Sequence, residues 1–226
     1  MKKFVSRSTR RPVACGDPVL IDAVSRHVER YVGPIDFVFH ETDSELVHVD
    51  VHHVPPDEGR PFHTLVTTGM AELPMNVPGI PGVEVCGELF VLLPPEWRVA
   101  PESLLATRWS WPVRCLRELA RYPHEEGALL DWGDTVQNGA SPTAYDESVP
   151  FCGALLAHPV SLGIGFAKLQ LGTKHIRFLQ LYPLYPEELR FAREHGADAL
   201  VARFAQYQLS DVVEPGRQNV CDLKVH

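Results

Sequence analysis

Residues 48–78 read HVDVHHVPPDEGRPFHTLVTTGMAELPMNVP: two strand-like runs joined by a proline- and glycine-rich turn, then an irregular stretch. Successive strand residues alternate sides, so Val47, Val49 and Val51 share one face of the first run and His48, Asp50 and His52 the other. Pro55-Pro56 and Asp57-Glu58-Gly59 end that run and turn the chain. Residues 62–68 return as its hairpin partner. A chain with such a hairpin needs a covering layer for its apolar face. It also has to accommodate residues 69–85, where Pro74, Pro78, Gly79, Pro81 and Gly82 oppose both helix and ladder. Irregular stretches of this length inside a domain are more often functional than decorative.

The flanking sequence supplies the covering elements. Asp17-Pro18 opens a helix that Gly33-Pro34 closes, with Ile21, Val24, Val28 and Tyr31 toward the core. Ile35, Phe37 and Phe39 alternate as a strand, and residues 88–93 form a buried strand stopped by Pro94-Pro95. Ser110 caps a helix with Val113, Leu116, Leu119 and Ala120 on its apolar face and Pro123 at its limit. After a second irregular stretch, 133–150, strands are expected at 151–156 and 175–182. Two helices follow: Pro186 starts one, Gly196 stops it, and Asp198 caps the next, whose Leu200, Val201 and Phe204 pack inward. No internal repeat or linker divides the chain. The expected fold is one α+β domain over 17–226, a mixed and largely antiparallel sheet flanked by helices, behind a disordered basic tail at 1–16.

Charge and cysteines narrow the function classes. Formal net charge is −8. Setting aside Lys2, Lys3, Arg7, Arg10 and Arg11 leaves 16 basic residues (21 less these five) against 29 acidic ones. Such a body repels phosphate backbones and suits a basic protein partner, so no nucleic acid is expected. The longest apolar run, 89–93, is far below the ~20 residues of a membrane span, and the basic leader lacks the apolar core of a secretory signal. Five dispersed cysteines without a C-x-x-C pair read as reduced thiols, hence a cytoplasmic location without a membrane partner.

Several segments, in order, resemble the suppressor of fused (SUFU) domain family. They are "TLVTTGM" with "LPM" at 64–75, Gly87-Glu88-Leu89 with "LLPPEW" at 92–97, "WPVR" and "LARYPH" at 111–124, "YPLYPEE" at 182–188, and Arg217-Gln218-Asn219-Val220. The resemblance spans most of 17–223. Asp134-Thr135 stands where many relatives are expected to carry His-Thr. The larger C-terminal half of the animal members has no counterpart, so the chain looks like the compact bacterial form. The resemblance implies a non-catalytic binding domain that needs no cofactor. Animal members grip an extended peptide, helped by strand addition, and bacterial members are often placed among immunity proteins for a cognate toxin.

On that basis Thr68, Met70, Met75, Asp134 and Thr135, on the two irregular stretches, are the candidate partner-binding residues. A different chemistry stays open at His48, Asp50 and His52: alternate residues of a strand can put two imidazoles on one metal ion, the basis of a metal-dependent enzyme. The simpler expectation is that this face is solvated. No nucleophile elbow occurs, and Gly163-Ile164-Gly165 lacks the remainder of a phosphate loop. Arg114, Arg117 and Arg121 repeat at helical spacing, as the solvated side of a helix or as a dock for an acidic partner. Trp97, Trp109, Trp111 and Trp132 are assigned mostly to the core.

Overall fold

A computed structural model describes residues 16–42, 44, 46–77 and 84–222. The basic tail, Cys15, and Pro78, Gly79, Pro81 and Gly82 of the first irregular stretch lie outside the described residues. Four helices, α1 (Pro18–Tyr31), α2 (Thr107–Glu126), α3 (Pro186–His195) and α4 (Ala197–Gln206), surround a nine-stranded sheet. Its strands are β1 (Phe37–Phe39), β2 (Asp50–Val54), β3 (His63–Thr68), β4 (Met75–Asn76), β5 (Glu84–Leu93), β6 (Thr135–Gln137), β7 (Gly153–Ala157), β8 (Lys168–Leu171) and β9 (Lys174–Leu184). The order is β1-β2-β3-β5-β9-β7-β6, with β4 on β5 and β8 on β9. Every pairing is antiparallel except β5 with β9, where Cys86 lies opposite Ile176 and Phe90 opposite Gln180. The expected mixed, largely antiparallel α+β domain is the fold observed.

Strand alternation sorts the core into layers. Leu89, Val91, Leu93, Leu179 and Leu181 pack with Trp111, Leu116 and Ala120 of α2 on one face. Phe90, Leu92, Ile176 and Phe178 meet Leu20, Val24 and Val28 of α1 on the other. Farther along that second face Leu155, Tyr182 and Leu184 pack with Leu189, Leu200 and Phe204 of α3 and α4. Fully burying each large apolar side chain stabilises by about 1.5–3 kcal/mol, so the sheet and its two covers stand together.

Element ends follow local chemistry, with corrections. The Asp17 carboxylate accepts from Val19 N at 2.9 Å and Pro18 occupies the first turn of α1. Leu20, Ala23 and His27 take the buried face with Val24 and Val28, whereas Ile21 is half-buried and Tyr31 exposed. Helix α2 starts at Thr107, so Ser110 sits inside it, and it runs past Pro123 to a left-handed Gly127 at φ +65°. A proline deletes one helical N–H without forbidding the following turn. In α4 Val201 points outward while Leu200 and Phe204 are buried. The stretch after β3 is not wholly irregular: residues Met70–Glu72 form a 3-10 turn, and β4 pairs Met75 with Val85.

A buried carboxyl and a buried ion pair fix this architecture. Glu88, in mid-β5 and fully buried, accepts from Gly69 N and Ala71 N at 3.0 Å each and from the Thr67 hydroxyl at 2.6 Å. It anchors the turn after β3, where Gly69 has φ +115° and a Cβ would meet His48 O at 1.9 Å. Burial pushes the Glu88 carboxyl up to about 7 against these stabilising hydrogen bonds. Arg217 and Glu188, both buried, pair through Nη1–Oε1 at 2.6 Å and Nη2–Oε2 at 2.5 Å. The guanidinium also donates to Pro183 O and lies among the rings of Phe151, Tyr182, Tyr185 and Phe204.

Because the folded Glu88 carboxyl titrates above its ordinary 4.5, its favourable contribution is complete below that pH and is lost as pH rises through about 7. Glu88→Gln keeps an acceptor for Gly69 and Ala71 and cannot ionise. Chemical denaturation from acid to neutral pH is expected to show wild-type stability falling relative to the variant across this window. Arg217→Met is expected to cost about 3–5 kcal/mol by stranding the Glu188 carboxylate, and adding Glu188→Leu to restore much of it, in urea titrations.

Candidate functional site

The free end of the sheet at β6 is where backbone hydrogen-bonding groups and a groove coincide. Asp134 O accepts from Leu156 N at 2.9 Å, and Asn138 N donates to Cys152 O at 2.8 Å. Val136 lies opposite Ala154, midway between these contacts. In an antiparallel ladder the bonded pairs alternate, so Asp134, Val136 and Asn138 turn their groups to β7. Thr135 and Gln137 therefore point their N–H and C=O groups away from β7, and no described strand pairs that edge. A groove of about 410 Å3 runs beside it, lined by Tyr122, Leu129, Asp134, Thr135, Gln137 and Arg193 among others.

Distant elements build this groove. Tyr122, 40% exposed, comes from the last turns of α2, and Arg193 from the last turn of α3. Helix α3 comes close because Gly153 in β7 has no side chain: a Cβ there would lie 3.1 Å from Leu189 Cδ2 and 2.8 Å from Val136 O. The start of α3 is held by Glu188, which accepts from Tyr185 N at 3.1 Å while paired to Arg217. The Asp134 carboxylate accepts from Asp131 N at 2.8 Å, shaping the entry to β6.

The five candidate residues separate into two groups. Asp134 and Thr135 lie together in the groove. Thr68, Met70 and Met75 do not join them: each is at most 2% exposed, because the turn anchored by Glu88 folds them into the interior. The thioethers fill core space, with Met75 Cε 3.3 Å from where a Gly87 Cβ would stand. The second irregular stretch contains β6, unrecognised in the sequence because Thr135-Val136-Gln137 is too short to show a period. Gln137 and Arg193 carried no signal of their own, and Tyr122 stood in the quoted LARYPH segment without being named as a candidate.

The face of His48, Asp50 and His52 is not solvated. Asp50 is 6% and His52 2% exposed, and His48 is half-buried. Asp50 accepts from His40 Nδ1 at 2.9 Å and Glu41 N at 2.8 Å, with His48 Nε2 3.0 Å away, so its oxygens are spent on the loop before β2. His52 Nδ1 has no hydrogen-bond partner. Among the described residues no group of three or more His, Cys, Asp or Glu is arranged to hold a metal ion. His53, on the opposite face, is 2.9 Å from His63 Nδ1 on the neighbouring strand, and burial pushes its imidazole down to about 4.

The arginines of α2 are not a wet stripe either. Arg117 donates to Phe39 O at 2.7 Å, Arg121 pairs with Glu41, and Arg114 reaches Tyr145 O at 3.3 Å. They clasp α2 to neighbouring segments. Trp97 and Trp111 are buried, Trp109 and Trp132 partly so. The described cysteines Cys86, Cys115, Cys152 and Cys221 are free and buried. No described helix is long and apolar enough to cross a membrane.

The fold has known counterparts. A putative SUFU homologue from Neisseria gonorrhoeae superposes with a TM-score of 0.63 at 17% identity, over 89% of this chain and 96% of that one. A chain of the Sufu–Fu complex gives 0.66 at 16% identity, over 92% and 95%. Drosophila Suppressor of Fused gives 0.64 at 15% identity, over 92% of this chain and 52% of that larger one. No curated protein matches the sequence. The family model described as suppressor of fused protein (SUFU) matches residues 45–218, from the loop before β2 through the Arg217 latch. The chain belongs to the suppressor of fused family.

Proposed function

We propose that this chain is a non-enzymatic protein-binding domain that takes an extended segment of its partner along the outer edge of β6. The observation that carries the reading is the pair of residues, Thr135 and Gln137, whose backbone groups face a groove rather than a strand. A segment laid there would gain main-chain hydrogen bonds from the edge and side-chain contacts from Tyr122, Leu129 and Arg193. Asp134 would offer a carboxylate to a basic side chain of that segment. The fold shared with a chain of the Sufu–Fu complex supports binding of a protein over chemistry on a small molecule.

The finer reading is neutralisation of a basic partner, in the manner of a bacterial immunity protein acting on a toxin in the cytoplasm. Net charge −8 supports it, because a negative field speeds encounter with a basic surface and makes the rate salt-sensitive. Co-expression with the product of the neighbouring gene tests the partner: a stable complex and protection of the host are expected, and neither would appear were this reading wrong. Gln137→Pro tests the edge. Relative to Gln137→Ala, which loses only the side-chain bonds to Gly139 O and Ala140 O, it removes an outward N–H and leaves the β6–β7 ladder intact, so binding is expected to weaken about tenfold or more, about 1.4 kcal/mol. Unchanged affinity in that variant would place the interface elsewhere.

A further inference from the structure

The sheet has another open edge, at β8. Strand β8 pairs with β9 in the register Lys168–Arg177, Leu169–Ile176, Gln170–His175 and Leu171–Lys174, across the two-residue turn Gly172-Thr173. Gly172, at φ +56°, supplies the positive φ that such tight turns need. Phe178 N donates to Ala167 O at 3.0 Å, which sets the phase of the ladder. Leu169 and Leu171 therefore spend their backbone groups on β9, and Lys168 and Gln170 turn theirs outward. No described strand takes them up.

Side chains around this edge are ordered by face. Lys168, Gln170, His175 and Arg177 share the outward one. Leu169 and Leu171, half-buried against the α1 cluster, occupy the other. Two adjoining grooves of about 230 and 420 Å3 both use Lys168 and Arg177, and the first adds His158 and Ile164, the latter 82% exposed. The carboxylate lining the first groove, Asp131, is already bound to Arg177 at 2.5 Å. Lys168, in no ion pair among the described residues, and the Asp131-paired Arg177 thus lie beside free strand-edge donors and acceptors on a chain of net charge −8.

We infer that the β8 edge is a second peptide-docking surface, for an extended partner segment in which acidic residues alternate with apolar ones. The two-residue period of an added strand sends every other side chain toward Lys168, His175 and Arg177, and the rest toward Leu169 and Leu171. The occupant is a polypeptide because the edge offers N–H and C=O groups in ladder register, which a phosphate backbone cannot match. The inference does not rest on the β6 reading, since the two edges share no residue.

Fluorescence anisotropy with a labelled peptide of alternating glutamate and valine tests it on the full chain. Saturable binding is expected, weakened about tenfold by Lys168→Glu and by Gln170→Pro, which removes an outward N–H together with the side-chain bond to Gly172 O, and weakened again by raised salt, whereas Gln170→Ala, which loses that side-chain bond alone, should bind nearly as the parent chain does. Gln137→Pro at the β6 edge should leave this binding unchanged, and an excess of unlabelled peptide of alternating lysine and valine should not displace the labelled one. The inference is overturned by an absence of saturation, by equal binding of a peptide with the same residues in blocks, or by sensitivity to Gln137→Pro instead of Gln170→Pro. Melting curves of Lys168→Glu and Gln170→Pro distinguish a lost contact from a lost fold.

Discussion

The bidentate pair between Arg217 and Glu188 holds the last segment of the chain to the start of α3, and through α3 it sets the wall of the β6 groove. Buried ion pairs are expensive to desolvate, and this one is compensated by nearly every neighbour. Glu188 also receives Val220 N and Tyr185 N, and Arg217 reaches two carbonyls and four aromatic faces. Hydrophobic burial supplies most of the free energy of folding, but it is not directional. The pair supplies direction: it sets where α3 begins and where the tail crosses it.

Glu88 plays the matching part in the other half of the sheet. Its oxygens gather backbone N–H groups from the turn after β3, which explains why a segment rich in proline and glycine is nevertheless packed. The same anchoring removes Thr68, Met70 and Met75 from the surface. Two of the segments quoted for the family, the one around Glu88 and the one that runs from Tyr182 through Glu188, are therefore structural in this chain. The groove takes Tyr122 from the quoted LARYPH segment and the rest of its lining from residues outside the quoted segments.

Local chemistry was readable where it acts locally. Asp17-Pro18 and Gly196 marked helix ends, and the turn at Pro55-Pro56 with Asp57-Glu58-Gly59 joined β2 to β3. The burial of His52 was hidden because alternation gives a face without saying what lies above it. Strand β8 was missed because Lys168-Leu169-Gln170-Leu171 is short and its turn, Gly172-Thr173, lacks the strongest hairpin signal. Of the candidate site, Asp134 and Thr135 were named from the resemblance, whereas Tyr122 and Arg193 enter only through the packing of α2 and α3. Long-range assembly decides a groove, and no window along the chain contains it.

The parallel seam between β5 and β9 has a consequence for how the molecule is made. Cys86 and Ile176 become neighbours only after the ribosome has released most of the polypeptide. Until then the border of β5 that β9 will cover over Cys86–Phe90 is unmatched, an adhesive template for any similar nascent molecule. Pairings between such remote stretches close slowly, because a large loop must be restrained before any contact compensates for it. Maturation of this domain thus hinges on a late zipper, and the interval before it closes is when chaperone attention matters most.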